Sequence, residues 1–581
     1  MRPRLLLLIP VLSAAALYLP CAAGRAILDV DEALYVQAPR EMLARHDWVT
    51  PYVNGVRFVD KPPLLYWVLA GLYRILGTTE FAAHLPPALA VVATTWLLTG
   101  LARRAAGPLA GLAAGVSFAL SAGTYLFTRE TLHDGLMVFF MVLAMDAFFR
   151  WSADPGRPTA WVLVFSAAVA GGLLSKGLIG VAFPCLVAAV VLMLSRERPR
   201  LRPGQALLGV SVFLLLAMPW HVLASLWIPG FFRHYVLNEQ LLRFVNRREP
   251  QDFESIPLPL FLALLLVWLF PWSAFLPAIA LGHGGLVGDV SERSRLARLC
   301  RVWTAVVLVF FSVSARLEHY AFPVLPPLAL LTGLALSAEA ERVQRAVAWG
   351  FRVLAGLGVL IGAVGVGGAV WIGTKGLPAA GSATRAAPLQ AAGTDFGPLA
   401  ELPAPVVAQL LWPAAGTAAA LAIGLVGAWW LESRGRRVGA ILALTSAMAA
   451  FGVLAHASLR ICEDVVSSKR FGMALAGLRL RPGDHVVVVG DYETANSMSF
   501  YAPLRLEIVE GRAPTLAAGL RDPDAPRMVR SRADLQTIWN GEGRACVLSP
   551  EDRLGGLGLA SGFEPMRSLD RVLVCNRSPS R

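Results

Sequence analysis

The sequence predicts a polytopic α-helical membrane protein of about thirteen transmembrane helices, followed by a small C-terminal α/β domain. Three observations carry this. Of 581 residues, 56% are hydrophobic and only 16% charged. Apolar runs near the roughly 20 residues that cross a bilayer recur through the first 458 positions. Short arginine clusters separate those runs, and alternate loops collect them, as the positive-inside rule requires.

The spanning segments fall near residues 5–23, 81–102, 107–127, 133–150, 159–175, 177–195, 206–225, 257–281, 300–315, 319–337, 348–373, 406–430 and 438–458. The first begins "MRPRLLLL" and could pass for a cleaved signal peptide; we read it as a retained first span. Segment 62–77, "PPLLYWVLAGLYRILG", opens with two prolines and carries Arg74, so it reads as an amphipathic surface helix. Leaving it out of the membrane puts Arg2/Arg4, Arg103/Arg104, Arg150/Arg157, Arg196/Arg198/Arg200/Arg202, Arg293/Arg295/Arg298/Arg301, Arg342/Arg345 and Arg434/Arg436/Arg437 on one side. That side is cytoplasmic by the same rule, with the N-terminus inside and the C-terminus outside. The transmembrane domain then covers 1–458, with a first outer loop over 24–80, and the outer α/β domain covers 459–581. The Pro-, Gly- and Ala-rich stretch 376–405 reads as a long external loop.

In the C-terminal part "DHVVVVGDY", "LRLEIVE", "RACVLSP" and "RVLVCN" read as short strands, and "TLAAGLRD" as helix. The six cysteines are too scattered for a disulfide framework or a CxxC metal site. Only Cys462, Cys546 and Cys575 lie beyond the apolar region, so at most one pair could bridge there. The net charge of +13 is explained by membrane orientation, which argues against a nucleic-acid partner.

With this topology the unusual polar residues gather outside: "DVDEALY" (29–35), "FVDKPPLLYW" (58–67), "TRETLHD" (128–134), "LLSKG" (173–177), 231–250 and "SARLEHYAFP" (314–323). Ionisable residues at span ends are costly and mark a site. Asp31, Glu32, Asp60 and Asp134 supply candidate bases, while Lys61, Lys176, Arg243 and Arg316 supply fixed positive charge. A base beside a cationic cradle suits displacement of a phosphate leaving group, because cations stabilise the charge that grows on the departing oxygen. At a lipid boundary the natural phosphate is a lipid phosphate. Plainer roles stand beside these: Asp29 as a helix cap, Lys61 and Lys176 as snorkelling lysines, and Arg247 and Arg248 as headgroup anchors. His133, His234 and His319 read as ordinary hydrogen-bonding residues, and Trp67, Trp220 and Trp272 as an interfacial belt.

"DEALY", then "DKPPLLYW", then Arg and Asp in "TRETLHD", Lys-Gly in "LLSKG", Arg-Phe at 243–244, and the basic-Tyr-Pro pattern of "ARLEHYAFP" together carry a resemblance. In that order they resemble the C-type glycosyltransferases (GT-C fold) that use polyprenyl-phosphate sugars. The likeness is strongest to the lipid A aminoarabinose transferase branch, with the protein O-mannosyltransferases as more distant relatives. It implies Asp31 and Asp134 as catalytic carboxylates. It also implies Lys61 and Arg243 as holders of the polyprenyl phosphate, Lys176 and Tyr320 as their supports, and Tyr35 in the same cavity. Asp60 stands where the family usually has Glu, Leu34 where the lipid A branch has Arg, and Arg316 where it has Lys.

The expectation is therefore an inverting transferase of the cell inner membrane. It would move a sugar, with 4-amino-4-deoxy-L-arabinose the candidate, from an undecaprenyl-phosphate donor to lipid A or another periplasm-facing acceptor. The rivals are a protein O-mannosyltransferase-like enzyme, a lipid or glycan transporter and a non-catalytic scaffold. The spacing requires no cofactor and assigns no metal ligands, although the carboxylates and His133 are compatible with a divalent ion.

Overall fold

The computed structural model describes residues 3–153, 158–195, 200–249, 255–282, 291–375, 402–481, 483–560 and 562–577. Arg2, Arg157, Arg196, Arg198 and most of the 376–405 stretch lie outside the described residues.

Every predicted spanning segment falls on helix. In order the helices are α1 (Pro3–Cys21), α2 (Asp31–Arg45), α3 (Leu64–Leu76), α4 (Glu80–Ala119), α5 (Ala122–Thr128), α6 (His133–Ala153), α7 (Pro158–Lys176) and α8 (Ile179–Leu194). They continue with α9 (Pro203–Trp227), α10 (Leu258–Trp268), α11 (Leu276–Leu281), α12 (Glu292–Val313), α13 (Leu325–Leu336), α14 (Glu341–Lys375), α15 (Ala404–Ser433) and α16 (Arg437–Ile461). Among the described residues, nine helices are long and apolar enough to cross a bilayer, or ten if the bent α10–α11 pair counts as one. The chain is a multi-pass membrane protein. Its burial pattern agrees: α13 lies almost wholly inside the bundle, whereas α9, α14 and α15 present bare leucine, valine and tryptophan outward. Such surfaces suit lipid, where all backbone groups must be bonded within the helix.

The predicted spans 81–102 and 107–127 are parted at Ala106 and Gly107 within α4, where the backbone is non-helical and Gly107 takes φ +87° just before Pro108, and the second run continues past Ala119 into α5. One segment differs from expectation. The 257–281 segment bends by 100° between Trp268 and Trp272, where Pro271 removes a backbone donor. The arginine clusters are also not all loops. Arg293, Arg295, Arg298 and Arg301 ride the first turns of α12, and Arg342 and Arg345 those of α14. Arginine is a good helix former and can snorkel from a helix that extends past the bilayer. Arg104 meets Glu292 at 3.1 Å, Arg295 bonds the Ser152 carbonyl at 3.2 Å and Arg437 the Leu336 carbonyl at 3.3 Å. Several clusters therefore share one end of the bundle.

The other end carries the first loop and the C-terminal domain. The latter is a six-stranded sheet of order β5-β4-β3-β6-β8-β7, where β3 is His485–Val489, β4 Leu506–Val509, β5 Val529–Arg530, β6 Ala545–Pro550, β7 Phe563–Ser568 and β8 Arg571–Cys575. β3 to β6 pair in parallel, and β8 joins β6 antiparallel. The four strands read from sequence are present. "TLAAGLRD" is instead two 3-10 turns, Pro514–Leu516 and Gly519–Arg521, too short and glycine-interrupted for an α-helix. Cys546 and Cys575 form a disulfide between adjacent strands.

Loop and sheet share one apolar core, in which Val36, Phe58, Tyr66 and Leu69 pack in a single cluster with Phe471, Val488 and Ile508. In the loop, hairpin strands β1 (Tyr52–Val53) and β2 (Val56–Arg57) turn at Asn54-Gly55, both with positive φ, the pairing a tight hairpin favours. The Asn54 side chain exchanges 2.8 Å hydrogen bonds with the backbone of Leu506 at the start of β4. Helix α3 buries Leu65, Tyr66, Leu69, Ala70 and Tyr73 and exposes Arg74 and Ile75, as an amphipathic surface helix should.

Candidate active site

Three long helices carry the site's residues to the end remote from the arginines. α6 begins with His133 and Asp134 and ends at Arg150 and Ala153, about 30 Å away at 1.5 Å per residue. α7 returns to finish on Lys176. α12 starts in the arginine cluster and delivers Phe311, followed by the 3-10 turn Glu318–Val324 with His319 and Tyr320. A π-helix, Phe232–Leu242, adds Glu239 and Gln240 and is capped by Arg243. The first loop contributes Lys61 and, from the first turns of α2, Asp31 and Tyr35. Asp31, Tyr35, Lys61, His133, Asp134, Lys176, Glu239, Gln240, Arg243, Phe311, His319 and Tyr320 line one cleft.

Local sequence fixes several of these positions. Val30, immediately before Asp31, has φ +74°, a strained value for a β-branched residue. Asn496 of the C-terminal domain holds it, accepting from the Val30 N–H at 2.9 Å and donating to its carbonyl at 2.8 Å. After Lys176 the chain turns at Gly177, φ +86°, where a Cβ would stand 2.0 Å from the Gln240 side-chain oxygen. That oxygen accepts from the Leu178 N–H at 2.9 Å, so only glycine fits.

Charge is arranged in pairs. Lys176 donates to the buried Asp134 carboxylate, and its ammonium lies 5.0 Å over the Tyr320 ring. Arg243 donates from Nε to the Tyr320 hydroxyl at 2.9 Å and from Nη1 to Glu239 at 3.2 Å. Because the Tyr320 oxygen accepts there, its own proton can be given to a ligand. Lys61 makes no ion pair among the described residues. Burial draws its pKa down to about 8, helped by the Arg243 charge, while Glu239 and Asp60 pull the other way. The result is a cleft whose lining interleaves the carboxylates of Asp31, Asp134 and Glu239 with the cations of Lys61, Lys176 and Arg243.

Asp60 lies beside this cleft. It bonds His234 at 2.8 Å and Arg248 at 3.2 Å, and Arg248 also bonds Glu239 at 2.5 Å. Burial alone would raise the Asp60 carboxyl, but His234, Arg248 and Lys61 outweigh it and hold it below its ordinary value. Asp60, His234 and Glu239 offer ligand atoms within 4.8 Å of one another, a set that could hold a metal ion. Arg248 already bonds both carboxylates there, so an ion would compete with its guanidinium for the same oxygens.

Of the residues singled out from sequence, the cleft brings together Asp31, Tyr35, Lys61, Asp134, Lys176, Arg243 and Tyr320. Three stand elsewhere. Glu32 is fully buried behind the cleft, 3.0 Å from Arg25, and accepts from the backbone N–H of Leu28 at 2.9 Å and of Thr131 at 2.8 Å. Burial would raise its carboxyl, but Arg25 and His84 hold it well below its ordinary value. It thus ties the Asp31 loop to the Asp134 loop instead of facing a ligand. Arg316 turns its guanidinium onto the backbone carbonyls of Ile256, Phe311 and Ser312, at 2.9 to 3.3 Å. Asp60 supports the cleft from outside its lining.

Other readings are corrected as well. Asp29 caps no helix: it accepts from the Ser497 N–H and the Ser468 hydroxyl, and burial pushes its carboxyl up to about 6. Arg248 is a buried crosslink, not a headgroup anchor. Trp220 and Trp272 pack inside the bundle. Sequence reasoning missed Glu239 and Gln240 as lining residues, gave His319 no site role and weighed His133 only as compatible with a divalent ion. Glu239 with Arg243 at i,i+4 was the available signal.

Comparison with known proteins fits this geometry. Residues 60–223 match the family model described as dolichyl-phosphate-mannose-protein mannosyltransferase. The undecaprenyl phosphate-alpha-4-amino-4-deoxy-L-arabinose arabinosyl transferase of Pectobacterium atrosepticum is 30% identical over 61% of this chain and 64% of its own length. That of Pseudomonas paraeruginosa is 32% identical over 53% and 55%, and that of Edwardsiella ictaluri 28% over 54% and 56%. The chain thus spans less than two thirds of the length of these curated relatives. The crystal structure of ArnT from Cupriavidus metallidurans bound to undecaprenyl phosphate superposes with a TM-score of 0.77 over 98% of both chains, at 23% identity. The resemblance read from "DEALY" and "DKPPLLYW" is borne out: this chain is similar in sequence to the aminoarabinose transferases and has the ArnT fold from end to end.

Proposed function

We propose that this protein is an inverting glycosyltransferase of the inner membrane, moving a sugar from an undecaprenyl-phosphate-linked donor to an acceptor on the periplasmic face. One observation carries the reading: two carboxylates, Asp31 and Asp134, share a single cleft with Lys61, Lys176, Arg243 and Tyr320. The side of the membrane is supported by the arginines at the far end of the bundle. The Cys546–Cys575 disulfide also favours an oxidising compartment for the C-terminal domain.

In this mechanism Lys61, Arg243 and the Tyr320 hydroxyl grip the phosphate of the donor. The acceptor oxygen attacks the anomeric carbon from the opposite face as the carbon–phosphate-oxygen bond breaks. Asp31 orients that acceptor and takes its proton where it carries one, and the charge left on the departing undecaprenyl phosphate settles on the cations. Asp134, neutralised by Lys176, anchors that lysine at the phosphate side. No step needs a cofactor. A divalent ion would be held by Asp60, His234 and Glu239 in place of the Arg248 guanidinium. The curated relatives named for aminoarabinose transfer make that sugar the first candidate, and the motif resemblance makes lipid A the first candidate acceptor.

Purified protein in liposomes with undecaprenyl-phosphate aminoarabinose and lipid A should yield aminoarabinose-modified lipid A by mass spectrometry, and Asp31→Asn should abolish the product. The mannosyltransferase match over 60–223 favours a second reading, in which the acceptor is a polypeptide. Product on a periplasmic protein and none on lipid A would establish it. Movement of the carrier without a new glycosidic bond would make the protein a transporter.

A further inference from the structure

His133 opens α6 directly before Asp134 and lines the cleft, yet it is 1% exposed and neither ring nitrogen has a hydrogen-bond partner among the described residues. Burying two bare polar atoms is costly, and native structures retain such a pair where something else completes it. The ring is held edge-on by Tyr35, centroids 4.6 Å apart at 87°, and by Tyr66, 5.3 Å apart at 89°. Those contacts fix its plane without using either nitrogen. Tyr35 lies one turn along α2 from Asp31, and His133 shares the cleft with Asp134, Lys61 and Lys176, whose charges reach its ring.

The missing partner can be described chemically. A phosphate oxygen only accepts, and Lys61, Arg243 and Tyr320 already supply donors for it. A neutral imidazole offers one donor and one acceptor, the complement of a hydroxyl, which also does both. Resting on the transferase reading above, we propose that His133 is a specificity-determining residue that reads a ring hydroxyl of the donor's sugar. A site whose buried polar group is left bare by the wrong ligand rejects that ligand strongly.

The test compares two ligands on full-length protein in nanodiscs: undecaprenyl phosphate, and undecaprenyl-phosphate aminoarabinose. His133→Phe should weaken binding of the sugar-charged carrier by roughly tenfold or more while leaving the bare carrier within about twofold. His133→Gln, which keeps a donor and an acceptor, should recover much of the loss. Equal loss for both ligands would make His133 a phosphate ligand or a packing residue and overturn the proposal. So would an unchanged ratio, or a wild type that does not bind the charged carrier. A wild type that binds neither ligand would overturn the transferase reading itself, whereas one that binds both with His133→Phe unaltered overturns this inference alone.

Discussion

Lys176 and Asp134 form a buried ion pair in the wall of the cleft, 42 residues apart in sequence and joined by the ends of two antiparallel helices. Each partner alone would leave an uncompensated charge inside. Lys176→Met should therefore destabilise the protein by about 3–5 kcal/mol, and the double variant with Asp134→Asn should be more stable than that single one. Thermal unfolding in one detergent, read against transfer activity, checks it. Both variants should lose transfer.

Asp31→Asn should leave carrier affinity within about twofold and cut the turnover rate by roughly 10²–10⁴-fold, the range for loss of a positioned base. Stopped-flow or single-turnover transfer separates the two. Retained turnover would reduce the cleft to a binding site.

The depressed pKa of Lys61 makes a pH prediction whose sign follows directly. The ammonium is charged below about 8 and lost as pH rises through that value. Affinity for undecaprenyl phosphate should fall across that range, less steeply at saturating ligand because a bound phosphate favours the charged lysine. Lys61→Arg should flatten the profile, since a guanidinium stays protonated. Titration by intrinsic fluorescence at several pH values measures it.

Glu32 provides the contrasting case. Glu32→Ala strands Arg25, which is 3% exposed, and should cost about 3–5 kcal/mol of stability. In the fraction that stays folded the carrier should bind as before, since Glu32 does not touch the cleft. A binding loss larger than the folding loss would return Glu32 to the site.

The clasp on Val30 predicts a loss of rate with little loss of fold. Asn496→Ala frees a backbone held at φ +74° and should lower turnover about tenfold, partly restored by Val30→Gly, which tolerates that φ without strain. Single-turnover rates of the pair of variants decide it.

Much of the bundle was legible because a bilayer imposes one long apolar period and sorts arginine to one end. The seven converging side chains were legible because ionisable groups at span ends are rare enough to be read in order. The remainder depends on contacts across hundreds of residues. Nothing near Glu32 announces that it bonds Thr131, and nothing near Asp29 announces Ser468 and Ser497. Arg248 differs from its exposed neighbour Arg247 only in the carboxylates that fold beside it. The 100° bend before α11 likewise reads as largely apolar sequence apart from Pro271, and short 3-10 turns such as Pro514–Leu516 and Gly519–Arg521 mimic a helix in composition.

The apolar core shared by the first loop and the C-terminal sheet has a consequence for biogenesis. Val30 leaves the ribosome 466 residues before Asn496, a delay of roughly 25–90 s at 5–20 residues per second. Throughout that interval the Asp31 segment lacks the surface that shapes it and, on the topology proposed above, would wait on the outer side of the membrane. Competence is thus conferred by the final fifth of the polypeptide, and a nascent chain released early would be inserted in the membrane yet inert.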